Sequence, residues 1–322
     1  RVVSEIAALG ARWKKMRGSV LEPTRSAVAK RLESTFHDLA VVYHREGEKL
    51  KNDEILGFAT AAYAVYLDVF GEGERAVEMR FFFGEALFRT GQNERAADEY
   101  TKVVEANPAG PRAAAAAYGA VVALDRALGR SDRPPRVHAP GKRPSPVPFP
   151  RGETRLREAC ERYLVLIPKD AATERPGVLY RLGRLFYDFH HIDEAARRYG
   201  ELVASYPSHT LASSALGELL DCMNAKGDLT GVEEWGRKAL ANTKLIRRGS
   251  TLEREVGRIV EQAMLKRAES LSREGRTQEA ATMYEAFSKE FPRSEVLDRA
   301  LLNGAAAYDA VRNVEAARRL WA

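Results

Sequence analysis

One spacing recurs along this chain and restricts its fold more than any other property. Between Pro176 and Ser208, the stretch PGVLYRLGRLFYDFHHIDEAARRYGELVASYPS places Leu179, Leu182, Gly183 and Phe186 on one helical face, then Ala195 and Tyr199 on a second helix, and closes with Pro207. Apolar residues three and four apart share a face of an α-helix. Small residues at Gly183 and Ala195 let two antiparallel helices approach closely, and the larger side chains three and four positions away fill the space around them. Neither helix can bury its apolar face alone. The stretch therefore predicts a helical hairpin stacked among others of its own kind.

The same template can be followed on both sides. From Glu33, Ala40 and Tyr43 fit a first helix and Ala59, Tyr63 and Tyr66 a second, with a connection about seven residues longer than the template. The next unit matches closely: Phe83, Gly84 and Leu87, a turn at Gly91, Ala96 and Tyr100, and Pro108 at its end. A third begins at Pro111, with Tyr118 and Gly119 on its first helix and Ala159, Tyr163 and Leu166 on its second. After the stretch at 176–208 come Leu216, Gly217, Leu220, Val232, Trp235 and Ala239, within Thr210 to Lys244. A long helix from about Thr251 leads to Ala268, Leu271, Gly275, Ala280, Tyr284, Phe287 and Pro292, and a seventh unit carries Gly304, Ala307 and Ala316. Residues 1–32 hold two amphipathic stretches separated near Pro23, a lead-in helix or a partial repeat.

Several positions at fixed spacing thus recur in register, and over residues 33–322 the chain resembles the tetratricopeptide repeat (TPR) superfamily, with Leu in place of the usual Trp. The resemblance implies an all-α, right-handed superhelical solenoid of about seven helix-turn-helix units. It also implies a protein-binding scaffold, although one architecture hosts many roles. The turns in SYPSHTLASSAL and EFPRSEVLDRAL look like the aromatic-Pro-x-Ser boundary of bacterial envelope TPR proteins. YAVYLDVFGEGERAVEMRFFFGEALFRTGQNERAADEY is similar to the large TPR components of gliding-motility machinery. The resemblance places the chain in the periplasm or envelope, with the cytoplasm as the alternative. Starting at Arg1 and stopping in mid-pattern, the chain reads as a fragment of a longer bacterial protein.

The third unit is interrupted by Gly129–Pro150, GRSDRPPRVHAPGKRPSPVPFP, which holds seven of the fourteen prolines and five basic residues against one Asp. So many prolines exclude a helix and favour an extended or disordered loop, bulging from one end of a hairpin. It lacks the strict PxxP spacing of an SH3 ligand.

The net charge of +6 is local: residues 1–31 carry eight Lys or Arg against Glu5 and Glu22, and the remainder is neutral. Neither WKKMR nor the basic prolines has interleaved aromatics in number, so a solvated surface is preferred to a nucleic-acid site. Cys160 and Cys222 fall on helices of different units and read as buried small hydrophobes. Glycine-rich phosphate loops, GxSxG and HExxH do not occur, so neither enzyme chemistry nor a cofactor is expected. His190, His191 and Asp193 sit at a hairpin turn, and His37 and His44 lie two helical turns apart; ordinary polar roles are preferred to metal ligation for both sets.

The best candidate site is the concave face that the TPR resemblance implies, lined by the first helix of each unit. Repeat positions five, nine and twelve form one stripe, being spaced i, i+4, i+7. They are Phe81, Glu85 and Phe88 in the second unit, Tyr180, Arg184 and Tyr187 in the fourth, and Leu301, Ala305 and Tyr308 in the seventh. Aromatic and Arg side chains commonly anchor interfaces, although aromatics in repeats also fill the seams between hairpins. The TPR carboxylate clamp for chaperone C-termini needs Lys at position five and Asn at position nine, a pair no unit has. A protein or peptide partner in this groove is the expectation. The rivals are a spacer or self-assembly module that binds through 129–150, and a cytoplasmic nucleic-acid-binding or regulatory protein.

Overall fold

A computed structural model of the chain describes residues 2–130, 144–169 and 173–321, and among them there are fifteen α-helices and no strand. Helix α1 (Val2–Met16) precedes seven hairpins: α2 (Thr24–Leu50) with α3 (Asp53–Phe70), α4 (Ala76–Arg89) with α5 (Asn93–Ala106), α6 (Ala113–Ala127) with α7 (Arg151–Leu166), α8 (Arg175–Asp188) with α9 (Ile192–Ser205), α10 (Ala212–Lys226) with α11 (Leu229–Ala241), α12 (Thr251–Arg273) with α13 (Thr277–Glu290), and α14 (Leu297–Ala310) with α15 (Val314–Trp321). The repeats thus fall where the spacing places them. No helix among the described residues is long and apolar enough to cross a membrane.

Local signals set the helix ends. Asn52 caps α3 by accepting from the Glu54 and Ile55 amides at 3.0 and 3.1 Å, Asp228 caps α11 through the Gly231 amide at 2.8 Å, and Ser250 caps α12 through the Glu253 amide at 3.1 Å. Gly227 closes α10 in the left-handed region, at φ 73°, where a Cβ would be strained.

The chain divides into two compact units, Arg1–Pro134 with Phe149–Val178 and Pro135–Pro148 with Leu179–Ala322. In the first, α1 lies on α3, burying Ile6, Gly10 and Trp13. The α2/α3, α4/α5 and α6/α7 hairpins follow one another in direct contact. Its core is aromatic: Phe36, Tyr63, Tyr66, Phe83 and Tyr100 are buried. In the second, α9 packs on α10, α11 on α12 and α13 on α14, around Leu182, Tyr199, Leu216, Leu219, Tyr284 and Phe287.

Two expectations change in detail. The surplus residues of the first hairpin are not in its connection, which is only Lys51 and Asn52; they lengthen α2, which runs for 27 residues. Residues 131–143 of the 129–150 insertion lie outside the described residues, but 144–150 are extended and held. In the second unit the Val147 amide donates to the Phe189 carbonyl at 2.9 Å, and the rings of His190 and His191 bond the carbonyls of Ser145 (3.1 Å) and Val147 (2.9 Å). A carbonyl oxygen only accepts, so both ring nitrogens, Nδ1 of His190 and Nε2 of His191, carry protons. The two histidines therefore clip a strand of chain instead of projecting from their turn. Cys160 and Cys222 are buried, and burial pushes the Cys222 thiol up.

Candidate functional site: an aromatic groove in the first unit

Helix α4 carries the predicted stripe of the second hairpin. Phe81 is 5% exposed and lies beneath the Arg112 guanidinium, 5.0 Å above its ring, whereas Glu85 and Phe88 are half-buried. Glu85 and Phe88 border a groove of about 470 Å³ together with Phe81. Its far wall is α6, with the exposed Ala114 and Ala115 and then Tyr118, Gly119 and Val122. Tyr163 of α7, Ile167 just beyond it and Glu174 just before α8 close the end. Tyr118 and Tyr163 pair at 5.9 Å between ring centroids, and Arg126 sits 5.1 Å over Phe88.

The floor is Tyr100, from α5. A methyl group placed on Gly84 would fall 2.9 Å from its Cδ1, and one placed on Gly119 2.9 Å from its Cε2. Only glycines let the first helices of two successive hairpins close on one ring, and that close approach brings Tyr100 to the inner face, 5.9 Å from Phe81.

Glu85 makes no hydrogen bond and no ion pair among the described residues. Burial holds its carboxyl above the usual range, Glu48 adds to the effect and Arg112 opposes it. It also borders a smaller cavity of about 230 Å³, with Val41, His44, Arg45 and Glu48 of α2, Tyr63 and Phe82. There His44 Nδ1 lies 3.0 Å from the Tyr63 hydroxyl, its Nε2 lies 3.8 Å from Glu48, and burial lowers its pKa.

The remaining predicted residues separate into two groups. In the second unit Tyr180 and Arg184 are half-buried on α8, Tyr180 with its ring 5.7 Å from Tyr199. Arg184 Nη2 is enclosed without a hydrogen-bond partner among the described residues. Tyr187, at 2% exposure, and Tyr308, at 5%, are instead core residues, and Tyr308 donates to Glu285 at 2.5 Å. Leu301 is half-buried and Ala305 buried. The repeat stripe gave no sign of Tyr100 and Tyr163, which reach the groove from second helices; the signal available was the facing glycine pair, Gly84 and Gly119. Nothing local marks Glu174.

A larger depression of about 700 Å³ in the second unit, between the α10–α11 turn, the end of α12 and the start of α13, is a weaker candidate. Its charges are already engaged: Arg276 holds Glu279 at 2.6 Å and Arg267 holds Glu233 at 2.7 Å.

Two tetratricopeptide repeat family models match the chain, one over residues 56–111, 83–133 and 180–244 and the other over 262–294, together more than half of its length. No curated protein matches it. Among solved structures it is similar to a MamA protein at 17% identity, covering 65% of this chain and 93% of that one with a TM-score of 0.42. BtubC (BKLC) from P. vanneervenii aligns at 16% identity over 74% of this chain and 89% of its own, TM-score 0.36. The C-terminal part of a TPR repeat-containing protein from Cytophaga hutchinsonii aligns at 14% identity over 92% and 95%, TM-score 0.36. With its hairpins in register, its glycines packed on tyrosines and these family models matched, the chain belongs to the tetratricopeptide repeat superfamily.

Proposed function

We propose that this chain is a non-enzymatic protein-interaction scaffold that organises a multiprotein complex by holding a partner segment in the groove of its first unit. One observation carries the reading: α4, α6 and α7 converge on a groove walled by aromatic rings, bordered by a carboxylate, Glu85, that has no hydrogen bond or ion pair among the described residues. Apolar walls with few polar groups are the usual composition of a recognition site, and aromatic rings are the usual anchors. Ala115 is exposed on a helix in that groove, so Ala115→Trp plugs the groove without touching the core. Affinity capture from cells, read by mass spectrometry, should lose the partner with the intact Ala115→Trp protein while its helicity stays unchanged. Full capture by a folded Ala115→Trp variant removes the reading, and loss of capture on deleting 131–143 instead would favour the insertion as binding element. We place the complex in the cell envelope on the turn style of SYPSHTLASSAL and EFPRSEVLDRAL, and in gliding-motility machinery on the likeness of YAVYLDVFGEGERAVEMRFFFGEALFRTGQNERAADEY; recovery of the intact protein in the cytosolic fraction would withdraw that placement.

A further inference from the structure

Three part-buried glutamates of this chain are each met by two partners. Glu99 holds Arg80 at 3.0 Å and Lys102 at 2.6 Å, Glu233 holds Arg267 at 2.7 Å and Arg237 at 3.1 Å, and Glu285 takes Lys289 at 2.7 Å and the Tyr308 hydroxyl at 2.5 Å. Glu85 is half-buried and has none among the described residues. A carboxylate withdrawn from water with no hydrogen bond or ion pair, and only the more distant Arg112 charge acting on it, is costly, so the site is incomplete as it stands. Among the described residues the groove cannot complete it from its own lining, which there contains two carboxylates, Glu85 and Glu174, and neither Lys nor Arg. The guanidiniums nearby are engaged with rings: Arg112 lies over Phe81 and Phe82, with Glu78 at 3.5 Å, and Arg126 lies over Phe88. What the lining does offer a basic side chain is aromatic rings, the half-buried Phe88 and Tyr118 in front of the buried Tyr100 and Tyr163.

We propose that the occupant of this groove is a segment of a protein partner bearing a lysine or arginine, its cationic head at Glu85 and its apolar neighbours against Phe88, Tyr118 and Tyr163. The inference rests on the reading of the groove as the partner site. A long basic side chain suits both parts of the site, because its aliphatic stem lies against rings while its head takes the carboxylate. Charge complementarity also sets orientation, since Glu85, the half-buried one of the two lining carboxylates, fixes where the basic residue must fall along the segment.

A random peptide display library selected on the full chain tests this, followed by fluorescence anisotropy of individual peptides with the native protein, Glu85→Gln and Ala115→Trp, each checked for helicity. Selected peptides should be enriched in Lys or Arg beside Leu, Ile or aromatic residues. Glu85→Gln should weaken them by about tenfold, the worth of one charge-assisted contact, and Ala115→Trp should abolish binding. If Ala115→Trp abolishes binding but the peptides are not basic, or Glu85→Gln leaves their affinity unchanged, the groove reading stands and the cationic occupant is wrong. If Ala115→Trp changes nothing, or no peptide binds, both fall.

Discussion

Glu218 and Glu85 occupy the same place in their repeats, one residue after the template glycine, in LGELL and FGEAL. Burial raises the Glu218 carboxyl from 4.5 to about 7, Asp221 reinforces the shift and Arg184 opposes it. A carboxyl raised on folding favours the folded state below its unfolded value and loses that contribution as pH climbs through its folded value. Stability to urea should therefore decline between pH 4.5 and about 7 by on the order of 1 kcal/mol, solvent screening having been allowed for, and Glu218→Gln should flatten the decline. Packing at this scale was legible in the sequence. A methyl group on Gly183 would fall 2.8 Å from Cε1 of Tyr199, which is fully buried, so Gly183→Leu should cost about 1–3 kcal/mol in denaturant melts. Exposure was less legible. Phe88 and Tyr187 hold the same repeat position, yet one borders a groove and the other is core, because what covers them comes from neighbouring helices and not from their own stripe.

The hairpins themselves were readable because each helix states its own period and each turn its own residues. Contacts between elements distant in the chain left no such trace. A run of prolines has no helical period, so nothing in 129–150 announces that residues 144–148 lie along the α8–α9 turn under His190 and His191. The double substitution His190→Ala with His191→Ala should speed hydrogen exchange at the Val147 amide, whose bond to Phe189 depends on that clip, while exchange in α9 stays slow. Arg175 is a second contact of this kind. Its guanidinium is buried at the end of α7, donating to the carbonyls of Leu164 at 2.8 Å and Ile167 at 2.6 Å, where a cation meets the negative end of the helix.

For the molecule as a whole, repetition made the order of elements legible in advance, since a stack of like units needs only nearest-neighbour contacts. The groove was half legible: the α4 stripe could be written down from spacing, but its floor and end wall come from other hairpins. That construction has a kinetic consequence. Both edges of the Tyr100 ring are gripped by glycines of separate helices, Gly84 of α4 and Gly119 of α6, so the ring cannot turn over unless the second and third hairpins part. Its flip rate, measured by aromatic NMR exchange on selectively labelled tyrosine, becomes a clock for the breathing of the array at the groove floor, and an occupant bridging α4 and α6 should slow that clock without moving the backbone.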